Sequence, residues 1–173
     1  MRAIDRPRFF EAMRRRFGRL DQPQVEGAEC LIEAIERDGR PILSQSAYLL
    51  ATAWHETART LPPVRDTLGR NDAQVITRLD HALAAGKLPQ VRSPYWRRDV
   101  DGHAWYGRGY VQLTHRHNYD RASDLVGADL MTDPDLALDP VIAAPNLVRG
   151  GRAGRITRRR RAEPAGDPLD PRL

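Results

Sequence analysis

The stretch Leu49-Leu50-Ala51-Thr52-Ala53-Trp54-His55-Glu56-Thr57-Ala58-Arg59-Thr60-Leu61-Pro62-Pro63-Val64-Arg65-Asp66 decides how the chain is to be read. Its first half closes a helical pattern that begins near Ser44. Ala47, Leu50, Ala51 and Trp54 form one stripe, while Leu49 and Ala53 populate the opposite side, so the spacing predicts a helix over 44–57 that is apolar all round and therefore buried. Glu56 ends that helix on the side of Leu49, Thr52 and Ala53. Desolvation there disfavours a charged carboxyl and raises its pKa, which keeps a proton available near neutral pH. Pro62-Pro63 stops the helix, because the residue before a proline avoids the helical region. Asp66 follows beyond the turn, with Arg65 and Arg70 nearby to favour its ionised form.

Working outward, Asp5 caps a helix with Pro7 in its first turn, which carries Phe9, Phe10, Met13 and Phe17 at helical spacing and stops at Gly18. A second helix is expected over 22–37, with Gly39 as its stop. On the C-terminal side, Asn71 or Asp72 starts another helix that ends near Gly86. Residues 88–109 are rich in turn formers and aromatics and read as loops and short strands around a site. From Tyr110 the pattern alternates, with Tyr110, Gln112 and Thr114 on one face and Val111 and Leu113 on the other, which predicts a short strand with a polar face. A helix over 118–126 then stops at Gly127, and Asp133-Pro134 and Asp139-Pro140 are two further starts. Pro145 falls inside the last of these helices, where a proline costs about 3 kcal/mol or more. The fold class expected is mainly α with a small β element.

The 173 residues suit one domain with one sizeable core. The net charge of +5 is confined to the end of the chain: residues 1–145 hold 20 basic and 20 acidic residues, residues 146–173 hold 8 arginines and 3 acids. We therefore divide the chain into a folded body, 1–145, and an arginine-rich tail, 146–173, expected to be disordered because it lacks aromatics and periodicity. No specific nucleic-acid partner is expected from one arginine run. The longest apolar run, Ala47 to Trp54, is shorter than the roughly 20 residues of a membrane span, so no membrane insertion is expected. The N-terminus shows no signal-peptide core, which gives the expectation of a cytoplasmic product as synthesised. The single cysteine, Cys30, excludes an internal disulfide and reads as a small buried hydrophobe.

The chemistry narrows by elimination. His55-Glu56 opens like the zinc-protease motif, but position 59 is Arg, so the second metal ligand is missing. His115 and His117 lack a clear third ligand, there is no Gly-x-Ser-x-Gly elbow, and Gly107-Arg108-Gly109 lacks the third glycine of a nucleotide loop. No metal and no cofactor are expected. Carboxylates remain, and Glu56 with Asp66 across the proline turn could serve as the acid and base of glycoside hydrolysis. With 23 acids in the chain, that pairing is not specific by itself.

The segments "AYLLATAWHETARTLPPVRD" and "WYGRGYVQLTHRHNYDRA", in this order, carry a family resemblance. They resemble the catalytic region of the family-nineteen glycoside hydrolases, the plant-type chitinases and their bacterial and phage endolysin relatives, most of all the compact bacterial and phage members. The similarity extends over roughly residues 5–144, including "FFEAMRRRFG" and "DPDLALDP". It implies a lysozyme-like α-helical fold and an inverting reaction without metal or cofactor. The substrate implied is a polysaccharide with β-1,4-linked N-acetylglucosamine, chitin or peptidoglycan. A monomer is expected. The resemblance also implies Glu56 as general acid, Asp66 at the position of the general base, and Thr114 as the hydroxyl that helps hold the attacking water. Gln112 and Asn118 would be sugar-binding amides, His55 a further substrate contact, and Tyr106 and Arg108 would shape the cleft. Trp96, Trp105 and Tyr110 are candidate surfaces for sugar rings. In such relatives glutamate is usual where this chain has Asp66. Near Pro145 the sequence turns from the family's aromatic segment into the arginine-rich tail, as after a shifted reading frame or in a diverged end. A role as a lysis protein of prophage origin, released to the cell wall by a separate pore, is one expectation. A catalytically impaired relict with weak sugar binding is the other.

Overall fold

The computed structural model describes residues 3–38 and 42–152. The described chain is mainly α, with six α-helices and one two-stranded sheet. Helix α1, Arg6–Phe17, begins where the Asp5 carboxylate accepts from the Arg8 N–H at 3.1 Å and ends at Gly18, whose φ of 86° suits glycine. Helix α2, Gln22–Arg37, opens on a reciprocal capping box between Asp21 and Gln24. Its end is at Asp38, and the stop expected at Gly39 lies outside the described residues. Helix α3 is Leu43–Glu56, and β1, Val64–Arg65, pairs antiparallel with β2, Arg108–Gly109. Between the strands lie a 3-10 turn, Asp66–Leu68, and helix α4, Asp72–Ala84, capped by Asn71. Helix α5, Arg116–Val126, ends on the left-handed Gly127. A second 3-10 turn, Pro134–Leu138, leads into α6, Pro140–Arg152.

Three apolar clusters hold these elements. The largest joins α1, α2, α3 and α6 through Phe10, Leu31, Ile35, Leu49, Ala53, Leu147 and Val148, with Tyr110 buried among them. The second packs Val75 and Leu79 of α4 against Trp96, Ala104 and Tyr106, and the third packs Trp105 against Tyr119, Ala122, Leu130 and Ala137.

Four expectations change. Helix α3 is not buried all round: Ser46, Leu49 and Ala53 face the core, while Leu43, Ala47, Tyr48 and Ala51 are exposed. The strand over 110–114 is instead a tight turn, closed by Arg108 N–H to Leu113 O at 3.2 Å and Leu113 N–H to Arg108 O at 2.9 Å. Trp96, Trp105 and Tyr110 are core residues and offer no surface to a sugar. The indoles donate inward, Trp96 to Asp80 at 2.8 Å and Trp105 to Asp99 at 2.7 Å. Finally, α6 crosses the boundary drawn after residue 145. Burying Leu147 and Val148 contributes roughly 1.5–3 kcal/mol each, enough to offset the cost of Pro145. The carbonyl that the proline leaves unpaired is that of Val141, an exposed residue that water can reach. The disorder expected of the tail concerns mostly residues outside those described.

Candidate functional site

Glu56 is the last residue of α3 and is half-buried. The chain after it is pinned closely. The buried Thr57 hydroxyl donates to Ala53 O at 2.8 Å and accepts from the Leu61 N–H at 2.9 Å, so one side chain ties the helix end to the turn. Arg59 N–H reaches back to Trp54 O at 2.8 Å, and the Gln24 amide of α2 donates to Arg59 O at 2.8 Å. Gly27 lets α2 approach this turn: a Cβ there would lie 2.7 Å from Leu61 O, inside any real contact. His55, next to Glu56, points out to solvent.

Asp66 starts the 3-10 turn beyond β1, and its N–H donates to Gly107 O at 2.7 Å, extending the pairing of the two strands by one bond. Its carboxylate accepts from the next N–H, that of Thr67, at 2.7 Å. Across the hairpin, the Gln112 side chain lies over Gly107 and its amide points at the carbonyls of Val64 and Gly109, 3.4 Å from each. Thr114 follows on the same segment, half-buried. The Asn118 amide donates to Thr114 O at 2.7 Å and fixes the entry to α5. The hairpin thus brings Asp66 and Gln112 to one edge, with Thr114 and Asn118 just beyond. A cavity of about 260 Å³ opens beside it, lined by Pro63, Val64, Arg65, Leu68, Gly69 and Leu138.

Tyr106 and Arg108 lie inside the molecule and not on a cleft surface. Arg108 is 2 % exposed, and its guanidinium sits 3.8 Å over the Tyr106 ring. It donates to Asp135 at 2.8 Å, to Asp72 at 3.1 Å, to Ala104 O at 2.7 Å and to the Tyr119 hydroxyl at 3.0 Å. Burial works against its charge, yet Tyr119, Tyr106 and Asp135 around it hold its pKa above the ordinary value. Tyr106 donates to Asp72 at 2.5 Å; burial first, and that carboxylate second, push its phenol well above the usual range. Burial likewise lifts Tyr119 to about 12. Arg65 of β1 joins the same network through Tyr106, at 3.2 Å, and through Asp135. The network therefore clamps both strands from behind.

The sequence reading named Arg108 but missed its partners Asp72, Asp135 and Tyr119, and it missed the roles of Thr57 and Gly27. No spacing signal joins Arg108 to Asp135. One signal was available for Thr57, because a threonine straight after a helix end can bond back to the carbonyl four residues earlier. The backbone carries a further feature that no residue spacing announces. Among the described residues, the non-glycine positions with positive φ are Ala58, Arg59, Leu61, Thr67, Leu68, Gln112 and His115. All of them follow Glu56, follow Asp66 or flank Thr114. Backbone strain of this kind persists only where surrounding structure enforces it, and it gathers at functional sites. Among the described residues there is no group of three or more His, Cys, Asp or Glu placed to hold a metal ion.

Comparison with known proteins bears on the second half of this site. Residues 82–148 match the sequence pattern of the family described as chitinase class I. That segment includes Arg108, Gln112, Thr114 and Asn118 and excludes Glu56 and Asp66. Over 40 residues the chain is 55 % identical to Chitinase 11 of Oryza sativa subsp. japonica, covering 22 % of this chain and 16 % of the relative. It is 52 % identical over 42 residues to the acidic endochitinase pcht28 of Solanum chilense, covering 22 % and 17 %. With endochitinase 4 of Solanum tuberosum it shares 44 % identity over 48 residues, covering 27 % and 16 %. The matched stretch thus spans about a sixth of the length of these relatives. No solved structure matches. Through the segment 82–148, the chain is similar to the class I chitinases of glycoside hydrolase family nineteen.

Proposed function

We propose that the chain is a glycoside hydrolase that cleaves β-1,4 bonds of N-acetylglucosamine-containing polymers with inversion at the anomeric carbon. The observation that carries this reading is the gathering of strained backbone behind Glu56, behind Asp66 and around Thr114, in a chain whose 82–148 segment matches a chitinase family. In the reaction, Glu56 gives its proton to the leaving glycosidic oxygen, and Asp66 accepts a proton from the water that attacks the opposite face of the ring. The Thr114 hydroxyl helps hold that water, and the Gln112 and Asn118 amides with His55 contact the sugars. Tyr106 and Arg108 serve from behind by holding the hairpin. The two carboxyls supply both proton transfers. Resemblance to compact bacterial and phage members favours peptidoglycan, cut by an endolysin-type lysis protein of prophage origin that reaches the wall through a separate pore. Chitin is the comparison substrate, as the names of the plant relatives suggest.

Glu56→Gln keeps shape and hydrogen bonding but removes the transferable proton. Turnover of purified cell walls and of soluble chitin oligomers should fall by about 10²-fold or more, and NMR of fresh product from the parent should show the α anomer. Parent-rate hydrolysis by the variant, or a β product, sinks the assignment. The relict reading is favoured by one feature: the short Asp66 carboxylate is engaged by the Thr67 N–H beside it. A folded parent inert on both substrates establishes that reading instead.

A further inference from the structure

The exposed side of α3 and the end of α1 form one surface of unusual chemistry. Leu43, Ala47 and Trp54 are four and seven residues apart, so they lie in line along α3 over roughly 16 Å. Leu43 is 82 % exposed and Tyr48, further round the helix, 47 %. The row continues across to α1, where Phe17, 46 % exposed, packs its ring 4.7 Å from that of Trp54. Along the chain from Arg14 to Arg19, which includes Phe17, the charge is of one sign. Residues 1–20 contain seven arginines against Asp5 and Glu11. Arg15 pairs with Glu11 at 3.1 Å, and Arg14 lies over the Phe10 ring. Among the described residues, Arg8, Arg14, Arg16 and Arg19 have no ion-pair partner.

We propose that this α1–α3 face docks on the surface of an anionic phospholipid bilayer, with the arginines at the headgroups and Phe17, Leu43 and Tyr48 entering the interface. The combination is what an interfacial element needs: a basic rim attracts the lipid, and exposed apolar side chains hold the contact at short range. A second copy is disfavoured, since it would set two arginine-rich rims together. The chain's own residues 153–173 carry six arginines and no aromatic, and so repel the same rim. A soluble polyanion would use the arginines but has no use for an exposed leucine. No described helix is long and apolar enough to cross a membrane, so the contact is peripheral. Glu56 lies two residues beyond Trp54, about 200° around the helix, so docking leaves the proposed cleft free.

The test uses the full chain with vesicles of phosphatidylcholine alone or with about one-third phosphatidylglycerol, read by co-sedimentation and by indole fluorescence. Trp96 and Trp105 are buried in the core, so Trp54 dominates any emission change. Binding and a blue shift are expected with the anionic vesicles only. Arg16→Gln with Arg19→Gln should weaken binding by roughly tenfold or more, since each arginine near such a surface is worth about a fivefold change. Leu43→Asp should do the same, and Tyr48→Ser repeats the test should that variant fail to fold. Equal binding to both vesicle types, or anionic binding that survives all these substitutions, overturns the proposal. So does Leu43→Asp binding both vesicles and heparin like the parent, which would make the surface a polyanion site.

Discussion

A carboxylate that acts as a base must reach a water, and Asp66, the proposed base, carries its carboxylate one methylene closer to the backbone than a glutamate would. It sits at the mouth of a left-handed turn, because Thr67 and Leu68 both have positive φ, and its carboxylate accepts the Thr67 N–H at 2.7 Å. A longer side chain could keep the charge and project past that donor. Inverting hydrolases leave about 6.5–9.5 Å between their carboxyls for the water, and a misplacement near 1 Å can cost about 10²-fold in rate. Asp66→Glu is therefore expected to raise product release from a chitin oligomer or from cell walls. Asp66→Asn should lower it, because an amide cannot take the proton. If activity is unchanged in both variants, the base is another residue.

At the scale of elements, the turn after α3 depends on how closely α2 approaches it. Gly27→Ala forces a Cβ toward the Leu61 carbonyl at 2.7 Å, and backbone has little room to give. Overpacking of this kind costs about 1–3 kcal/mol, which should lower the melting temperature by several degrees and reduce kcat by displacing Glu56; an unchanged kcat would mean the turn does not position that residue. Leu147→Ala tests whether α6 belongs to the core beyond Pro145, with an expected loss of about 2–5 kcal/mol in denaturant unfolding. These elements differ in how far the sequence could announce them. Both ends of α1, the start of α4 and the end of α5 were legible, since Asp5 and Asn71 cap as their side chains allow and Gly18 and Gly127 stop as theirs do, whereas the Asp21 cap of α2 went unread. The exposed side of α3 was not, because a helix apolar all round does not state which sides will find a partner. The hairpin failed as a strand because alternation from Tyr110 to Thr114 takes no account of backbone twist, and Gln112 at a φ of 51° turns the chain back on Arg108. In the candidate site, the roles proposed for Glu56, Asp66 and Thr114 come from a motif resemblance, whereas Arg108 finds Asp72 and Asp135 only through the fold.

Across the whole molecule, carboxylates tie the clusters to their surroundings and set how the fold meets acid. Arg6 holds Glu36 below the usual carboxylate range, with the Ile4 N–H assisting, and so joins the start of α1 to α2. The Trp96 indole, with Arg97, does the same for Asp80 at the second cluster. At the third, burial works against the Asp99 charge, but the Trp105 indole and the N–H groups of His103 and Asp101 together keep its pKa depressed. His115 is also depressed, by burial and by His117 beside it. All four shifts have one sign. The unfolded chain binds protons at a higher pH than the folded one, so stability is full above the unfolded values and is lost as pH falls through the folded ones. The melting temperature should thus be level from pH 8 to 7, decline gently below about 6.5 as His115 begins to count, and fall steeply below about 4.5. Because these groups are half-buried and still reached by solvent, salt should soften the acid limb. Asp80→Asn isolates one contribution. The Asp80 Oδ1 that accepts from both Trp96 and Arg97 has its counterpart in the amide oxygen, so the contacts can persist while the titration disappears. That variant should start lower at pH 7 and lose fewer degrees by pH 3 than the parent. An identical acid limb in the two proteins would show that the Trp96 contact does not couple folding to this proton.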